Sequence, residues 1–477
     1  MTGQGIIRMR LDCLVLAGWL ACAAATGQPS QSDALDRFIK QQREIDKQLE
    51  RDRVEVAPIE SLVDFQWGGW VDYFFMSYDD GQQESRVAHR PGTALWTRIS
   101  IDGGAHEIFA RMRLRYSYFR PGDEGAARQE DWFGPEFDQL WYQVDWGKAL
   151  RLAAPGDPFQ VTTRVGRQTV QFGTGFVLDL PMDAVLIDAR LYDLRVQGLL
   201  GRAIRNLPNV VRDNAVESHS DRNFAGMQLS YEGWEQHVPF VYWLLNDDRT
   251  KERPKDPFQD YSYDSFYLGG GAAGEIVKDL RYWGEGVMQF GRSFGDGAWR
   301  SRDYIEAWGW NAGIEKLWHT AWRPRLSFEY MFGSGDADRI YNAVGSRGGN
   351  RSGTPDRGFS GFGFRDTGLA LAPTVTNLHI FKVGGSVTPF EKVQLLREME
   401  LGTNWFLYVK NQGRGAISDS TADNFDPYVG WGMDYFVNWR LTSDLAFTIR
   451  CGTFFPGQAY SDQDTRYFLL TGLTWSF

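Results

Sequence analysis

Arg111, Arg113 and Arg115 occupy every second position of the run Ile108-Phe109-Ala110-Arg111-Met112-Arg113-Leu114-Arg115-Tyr116. Alternate side chains of an extended strand point to opposite faces. The three guanidinium groups therefore form a ladder on one side, and Ile108, Ala110, Met112, Leu114 and Tyr116 form an apolar stripe on the other. A guanidinium stays charged at any relevant pH, and its planar fork matches a carboxylate with paired hydrogen bonds. A ladder of them offers an anionic chain successive weak sites, which permits binding and release. Arg164 and Arg195 alternate with apolar neighbours in the same way, and Arg190 and Arg167 extend the set. Arg167 is in register with the apolar face, which predicts a place at a strand end or in the loop that follows. Glu329, Glu398, Glu400 and Asp434 supply acids on the arginine side of later strands. Two readings stay open: a basic, pore-lining binding site for anions, or a wall whose charges satisfy one another.

Other chemistry is thin. The six histidines are scattered without metal-ligand spacing, and no cofactor or metal is expected. Glu398 and Glu400 fall on one face, a pairing that glycoside hydrolysis uses, but a charged wall explains it as well. Gly269, Gly271 and Gly274 satisfy a GxGxxG pattern, yet no amphipathic helix follows to hold a pyrophosphate. The net charge of −10, with acidic and basic residues intermixed, argues against nucleic acid as a partner.

The elements that must position the arginines are strands. Runs of period two recur about 18 times between Phe65 and Phe477, and the connections alternate between long and short. Asp79–Gly92, Arg120–Glu136, Gly201–Arg222, Asp247–Tyr261 and Gly335–Thr376 are long. Asp102–Ala105, Pro389–Lys392 and Leu441–Ser443 are tight. Short turns at one end and long loops at the other are the asymmetry of an outer-membrane barrel. Aromatics at 15%, 53 glycines and a mean hydropathy of −0.41 fit strands that average lipid-facing and lumen-facing residues. The glycine-rich connection Gln168–Pro181 is expected to fold inward and narrow the pore. The Gly335–Thr376 loop, with Arg339, Arg347, Arg351, Arg357 and Arg365, is expected either to recruit or lid the channel or to be a solvated surface loop. In the last strand Tyr467, Leu469, Leu473, Trp475 and Phe477 share one face, the pattern that the outer-membrane insertion machinery reads. The fold class is thus an all-β transmembrane antiparallel barrel of about 18 strands, surrounded by outer-membrane lipid, over residues 65–477.

Ahead of it, residues 1–25 read as a secretory signal, with Arg8 and Arg10 before the apolar run Leu11–Ala21. Its removal takes away Cys13 and Cys22 and leaves Cys451 with no intrachain partner. Residues 26–64 read as a short periplasmic helical segment. Leu35, Phe38, Ile45 and Leu49 lie at heptad a/d spacing within 32–54, which suits either self-association or packing on the rim or a periplasmic partner.

Several local patterns resemble the alginate-export family of outer-membrane porins. They are Arg164-Val165-Gly166-Arg167-Gln168 followed by Met182-Asp183-Ala184-Val185, and Pro324-Arg325-Leu326 running to Phe332-Gly333-Ser334-Gly335-Asp336. Val429-Gly430 with Met433-Asp434, then Phe454-Phe455-Pro456-Gly457, complete the series. The resemblance implies an 18-stranded monomeric channel that passes an acidic polysaccharide through an arginine-lined constriction. The turn Leu441–Ser443 is too short for the periplasmic plug that the alginate exporter carries there. The rival readings are a porin for small anions such as phosphate or organic acids, and an outer-membrane barrel enzyme.

Overall fold

The computed structural model describes residues 63–79, 81, 85–120, 130–150, 159–204, 221–249, 263–296, 302–339, 350–351 and 353–477. The expected signal and the helical segment 32–54 lie outside these residues, as does Arg347. The first nine strands are β1 (Val63–Asp79), β2 (Arg86–Ile101), β3 (His106–Arg120), β4 (Glu130–Asp145), β5 (Phe159–Phe172), β6 (Leu178–Leu191), β7 (Leu194–Ala203), β8 (Arg222–Tyr231) and β9 (His237–Asp248). The second nine are β10 (Asp264–Val277), β11 (Leu280–Asp296), β12 (Arg302–Leu317), β13 (Arg325–Gly333), β14 (Leu378–Val387), β15 (Met399–Lys410), β16 (Tyr428–Arg440), β17 (Leu445–Pro456) and β18 (Arg466–Ser476). Each pairs antiparallel with its neighbours in sequence, and β18 returns to β1, with Trp70 opposite Ser476 and Asp79 opposite Tyr467. The barrel is therefore closed with eighteen strands; a two-residue strand, Asn350–Arg351, adds a parallel contact to β11 from within a loop.

Period two decides which side chain goes where. Along β1, Val71 (46%) and Tyr73 (45%) are exposed on the outside, whereas Trp70, Asp72 and Phe74 are buried inside. The outer face stays apolar over most of the wall, with Leu200, Val241, Leu268, Met288 and Val383 among its exposed residues. In hydrocarbon no water can satisfy a sheet edge, so only closure makes such a wall stable. Cys451, the one cysteine among the described residues, sits on this face among the outward residues of β17. β1 and β18 bring the described start of the chain and Phe477 to one end, beside the tight turns; the long connections leave from the other. The turn Asp102–Ala105 closes with a 3.2 Å hydrogen bond from the Ala105 N–H to the Asp102 carbonyl. By topology the tight-turn end is periplasmic and the loop end external.

Gly269, Gly271 and Gly274 lie within β10 and serve packing. A Cβ on Gly269 would stand 2.2 Å from the Tyr242 ring, and one on Gly271 would stand 2.8 Å from that of Phe240. Gly269 and Gly271 leave room for aromatic rings leaning in from β9, and Gly274 for the Gln236 carbonyl, 2.1 Å from where a Cβ would stand.

Two apolar clusters fill the external half of the barrel. In one, the hairpin between β5 and β6 folds into the lumen. Phe172, Phe176, Val177, Leu178 and Leu180 pack there with Phe359 and Phe362 against inward residues of β8–β12. In the other, Leu369, Ala370, Leu371, Ile417, Ala459 and Tyr460 pack against inward residues of β1, β2 and β13–β18. The 335–376 connection is thus a lumenal element over much of its described length. Its buried Arg339–Asp356 pair, with Nε donating at 2.8 Å, fixes it from within.

Candidate functional site

The site is built where the two inward segments meet. Gly173 (φ +57°) and Gly175 (φ +83°) adopt the left-handed conformation that glycine allows without strain. They let the hairpin tip approach β11 closely: a Cβ on Gly173 would stand 2.6 Å from Glu285 Oε2. The Thr174 N–H and hydroxyl both donate to Glu285 Oε2 at 2.6 Å, and the Gly173 N–H donates to Gln228 at 2.6 Å. Tyr242 donates to the other Glu285 oxygen at 2.5 Å. From the second segment, Arg365 Nη2 donates to the Thr174 carbonyl at 2.5 Å and also to its hydroxyl. The backbones join as well. The Phe362 N–H donates to the Val177 carbonyl at 2.7 Å, and the Phe364 N–H to that of Gly175 at 3.1 Å. Phe176 stacks on Phe359 with centroids 5.4 Å apart. The two segments form one ceiling across the lumen.

Beneath the ceiling lies a chamber of about 630 Å³. Arg195, Arg325, Arg365, Lys382 and Arg450 line it, and so do Glu232, Glu315, Glu329, Asp366 and Glu400. The charges are interleaved. Lys382 reaches Asp366 at 2.7 Å and Glu329 at 4.0 Å, Arg325 pairs with Glu315, and Arg195 lies 3.8 Å from Glu232. Glu329 also accepts from Asn311 at 2.7 Å, and Glu400 from Asn438 at 3.2 Å. Phe240, Trp283, Phe364 and Phe436 give the wall aromatic surface. The Asp366 carboxyl, on the inward loop, is pushed up by burial. The Lys382 ammonium and the Gly368 N–H outweigh that and hold it below the usual carboxylate range.

The arginine ladder of β3 faces inward, as its parity requires, but it lies away from this chamber. Arg111 and Arg113 are buried and share Asp138. Nε of Arg111 donates to it at 2.9 Å, and Nε of Arg113 lies 2.6 Å from it. The register shift in β4 at this point turns Asp138 toward both. The Trp70 ring lies 5.6 Å from Arg111 and 5.4 Å from Arg113. Arg115 is less buried and stands 3.6 Å from Glu136. Arg164 faces inward on β5, donating to Gln143 at 2.6 Å and lying 4.2 Å from the Trp141 ring. Arg195 also holds Asp188 at 2.5 Å, and Arg190 stands 3.8 Å from Glu232 near the periplasmic mouth. Asp434 is buried on the inward face of β16, under the second inward segment.

Two expectations need correction. Arg167 lies in the middle of β5, not at a strand end, and shares the outer face with Val165. There it grips Asp183 of β6 through Nε at 2.9 Å, so it cannot line the lumen. An outward arginine near the bilayer midplane would cost about 2–4 kcal/mol, and the pairing offsets that. Glu398 precedes β15, in the turn after Val387. It is exposed and stands 3.9 Å from its neighbour Arg397. Only its companion Glu400 reaches the chamber. Arg325, Lys382 and Arg450 line the chamber without having been singled out, although the parity of their strands marks each as inward. Among the described residues, no three His, Cys, Asp or Glu side chains gather as metal ligands.

Comparison with known proteins agrees with this architecture. No curated protein matches the chain in sequence. Solved porins match it in fold at low identity. Pseudomonas aeruginosa OccK8 (OprE) superposes with a TM-score of 0.53 at 11% identity, covering 87% of this chain and 98% of that one. A BenF-like porin from Pseudomonas fluorescens Pf-5 gives 0.52 at 11% identity, with 87% and 98% covered. Pseudomonas aeruginosa OccD3 (OpdP) gives 0.51 at 13%, with 88% and 93% covered. The family model described as alginate export matches residues 137–469, from the middle of β4 into β18. With a closed apolar-walled barrel and that match over most of its length, this bacterial outer-membrane protein belongs to the alginate export family.

Proposed function

We propose that the barrel is a passive channel for carboxylated oligosaccharide or polysaccharide chains, handled in the chamber beneath the inward segments. The observation that carries this reading is the makeup of the chamber wall. Basic and acidic side chains interleave there in equal number, with Phe240, Trp283, Phe364 and Phe436 between them. A sugar chain presents hydroxyls that donate and accept, C–H faces that stack on rings, and carboxylates at intervals. The wall has a partner for each. Partly solvated ion pairs are worth about 0–1 kcal/mol, so a substrate carboxylate can replace Glu315 on the half-exposed Arg325 and then leave. Arg111 and Arg113, held by Asp138, serve the wall on this reading. A small-anion porin, the alternative, is better served by a net positive well, and the formal charges lining this chamber cancel. The chemistry is passage, with no catalytic step.

The test is single-channel recording in a planar bilayer. Oligouronates added to one side should produce brief blockades, longer than those of neutral oligosaccharides of equal length. Lys382→Gln and Arg365→Gln should shorten them. Equal blockade by both sugars, or blockade by phosphate alone, would sink the proposal.

A further inference from the structure

The outer wall carries a groove that the channel does not use. Between β11 and β12, Met288, Phe290, Tyr304 and Trp308 stand exposed on the outer face and, with Glu306, line an open and largely apolar groove of about 630 Å³. Strand register orders the groove from end to end: Met288 faces Trp308, Phe290 faces Glu306, and Arg292 faces Tyr304. Arg292 is also opposite Asp264, the first residue of β10, so it stands at the external end of the wall; the Asp264 carboxylate shares its outward face and accepts the Asp248 N–H at 3.0 Å. Its side chain parity is that of Met288 and Phe290, hence outward. A cation and a tyrosine therefore crown an apolar cleft at the level where lipid headgroups meet acyl chains.

We infer that this groove binds a phosphorylated lipid of the outer leaflet, one acyl chain lying against Phe290, Met288 and Trp308 with its headgroup phosphate on Arg292. Guanidinium and phosphate are complementary in charge and geometry, and the apolar surface runs from there toward the membrane interior. Glu306 fixes the height: a phosphate that sank one residue pair deeper would meet its carboxylate, so the headgroup stays at Arg292. A second copy of this chain is the competing occupant. The outward charges on this face do not favour it, because Arg292, Asp264 and Glu306 would each need an opposite charge from the other copy at one fixed offset.

Native mass spectrometry of the full chain in mild detergent, titrated with purified lipid A or with dephosphorylated lipid A, tests the inference. The wild type should retain phosphorylated lipid over dephosphorylated lipid. Arg292→Gln should weaken retention about fivefold, the factor one basic residue contributes at an anionic lipid surface. Glu306→Gln should retain at least as much as the wild type, and Trp308→Ala should reduce retention of both lipids. These side chains face outward, so variants that still resist heat dissociation on gels report binding and not folding. Equal retention by wild type and Arg292→Gln overturns the inference. So does a lipid-free dimer or trimer that Trp308→Ala dissociates, which would assign the groove to a second copy. Blockade by sugars plays no part in this readout, so the channel reading stands or falls separately.

Discussion

The external and periplasmic halves of the lumen are built on opposite principles. The external half is packed like the core of a soluble protein: Phe172, Leu178, Phe362, Leu369 and Tyr460 are nearly or fully buried there, with buried pairs such as Arg466–Asp419 at 2.5 Å. The periplasmic half is an open chamber whose charged groups remain partly solvated, as Arg195 and Glu232 are at 31% and 35% exposed. Both halves use the inward positions of the same strands. What differs is whether a loop returns to cover them. The same residue types therefore hold the plug in place above and face the permeant molecule below.

The largest effect that can break this contrast is removal of the ceiling. Replacing residues 357–376 with a short glycine-serine linker should raise single-channel conductance several-fold, because Arg365, Phe362 and Leu369 leave together. An unchanged conductance would show that ions already bypass the ceiling. Next in size is Asp138→Asn, which removes the carboxylate that buried Arg111 and Arg113 share. Breaking a buried pair costs about 3–5 kcal/mol, so denaturant unfolding should shift strongly while ion selectivity changes little. A lost anion preference with intact stability would return the ladder to the conduction path. The chamber substitutions should act the other way. Arg325→Gln should favour cations and Glu400→Gln anions. Each should change the permeability ratio up to about fivefold, as expected of partly solvated pairs of 0–1 kcal/mol, with stability nearly unmoved. Reversal potentials in a salt gradient read the sign.

The contrast also explains what was legible in sequence. Strand parity is local, so it placed the β3 arginines inward, put the exposed aromatics of β18 outward and closed the chain on Phe477. Where the backbone leaves regular pairing, parity fails. The turn through Gln394–Leu396 delays β15 to Met399 and strands Glu398 outside the wall. For Arg167 parity held, since it shares the outer face with Val165; what failed was the expected strand end, because Asp183 across the β5–β6 pair makes the outward placement tolerable in mid-strand. The ceiling depends on contacts such as Arg365 with Thr174, 191 positions apart, which no local pattern encodes. One signal was present: Phe359, Phe362, Phe364, Leu369 and Leu371 are too apolar for a solvated loop.

The smallest effect lies at the junction of the halves and concerns acid. Asp366 hangs from the ceiling and reaches down to Lys382, and burial raises its pKa less than Lys382 and Gly368 lower it. Asp419, buried in the external half, is likewise raised by burial and held lower overall by Arg466 and Thr421. A carboxylate depressed in the folded state contributes stability that is fully present above its unfolded value, about 3.9. That contribution is lost as pH falls through the lower folded value. Conductance and its noise should therefore be constant from pH 7 to pH 5, with ceiling fluctuations appearing only well below the ordinary aspartate range. Asp366→Asn should bring comparable fluctuations to neutral pH, since the neutral amide leaves the Lys382 charge without its nearest carboxylate. The same substitution at Asp419 should destabilise the external packing and leave the chamber's ion preference alone. If Asp419→Asn instead shifted the reversal potential as Asp366→Asn does, the two halves would be electrostatically one compartment, and the division drawn between them would fail.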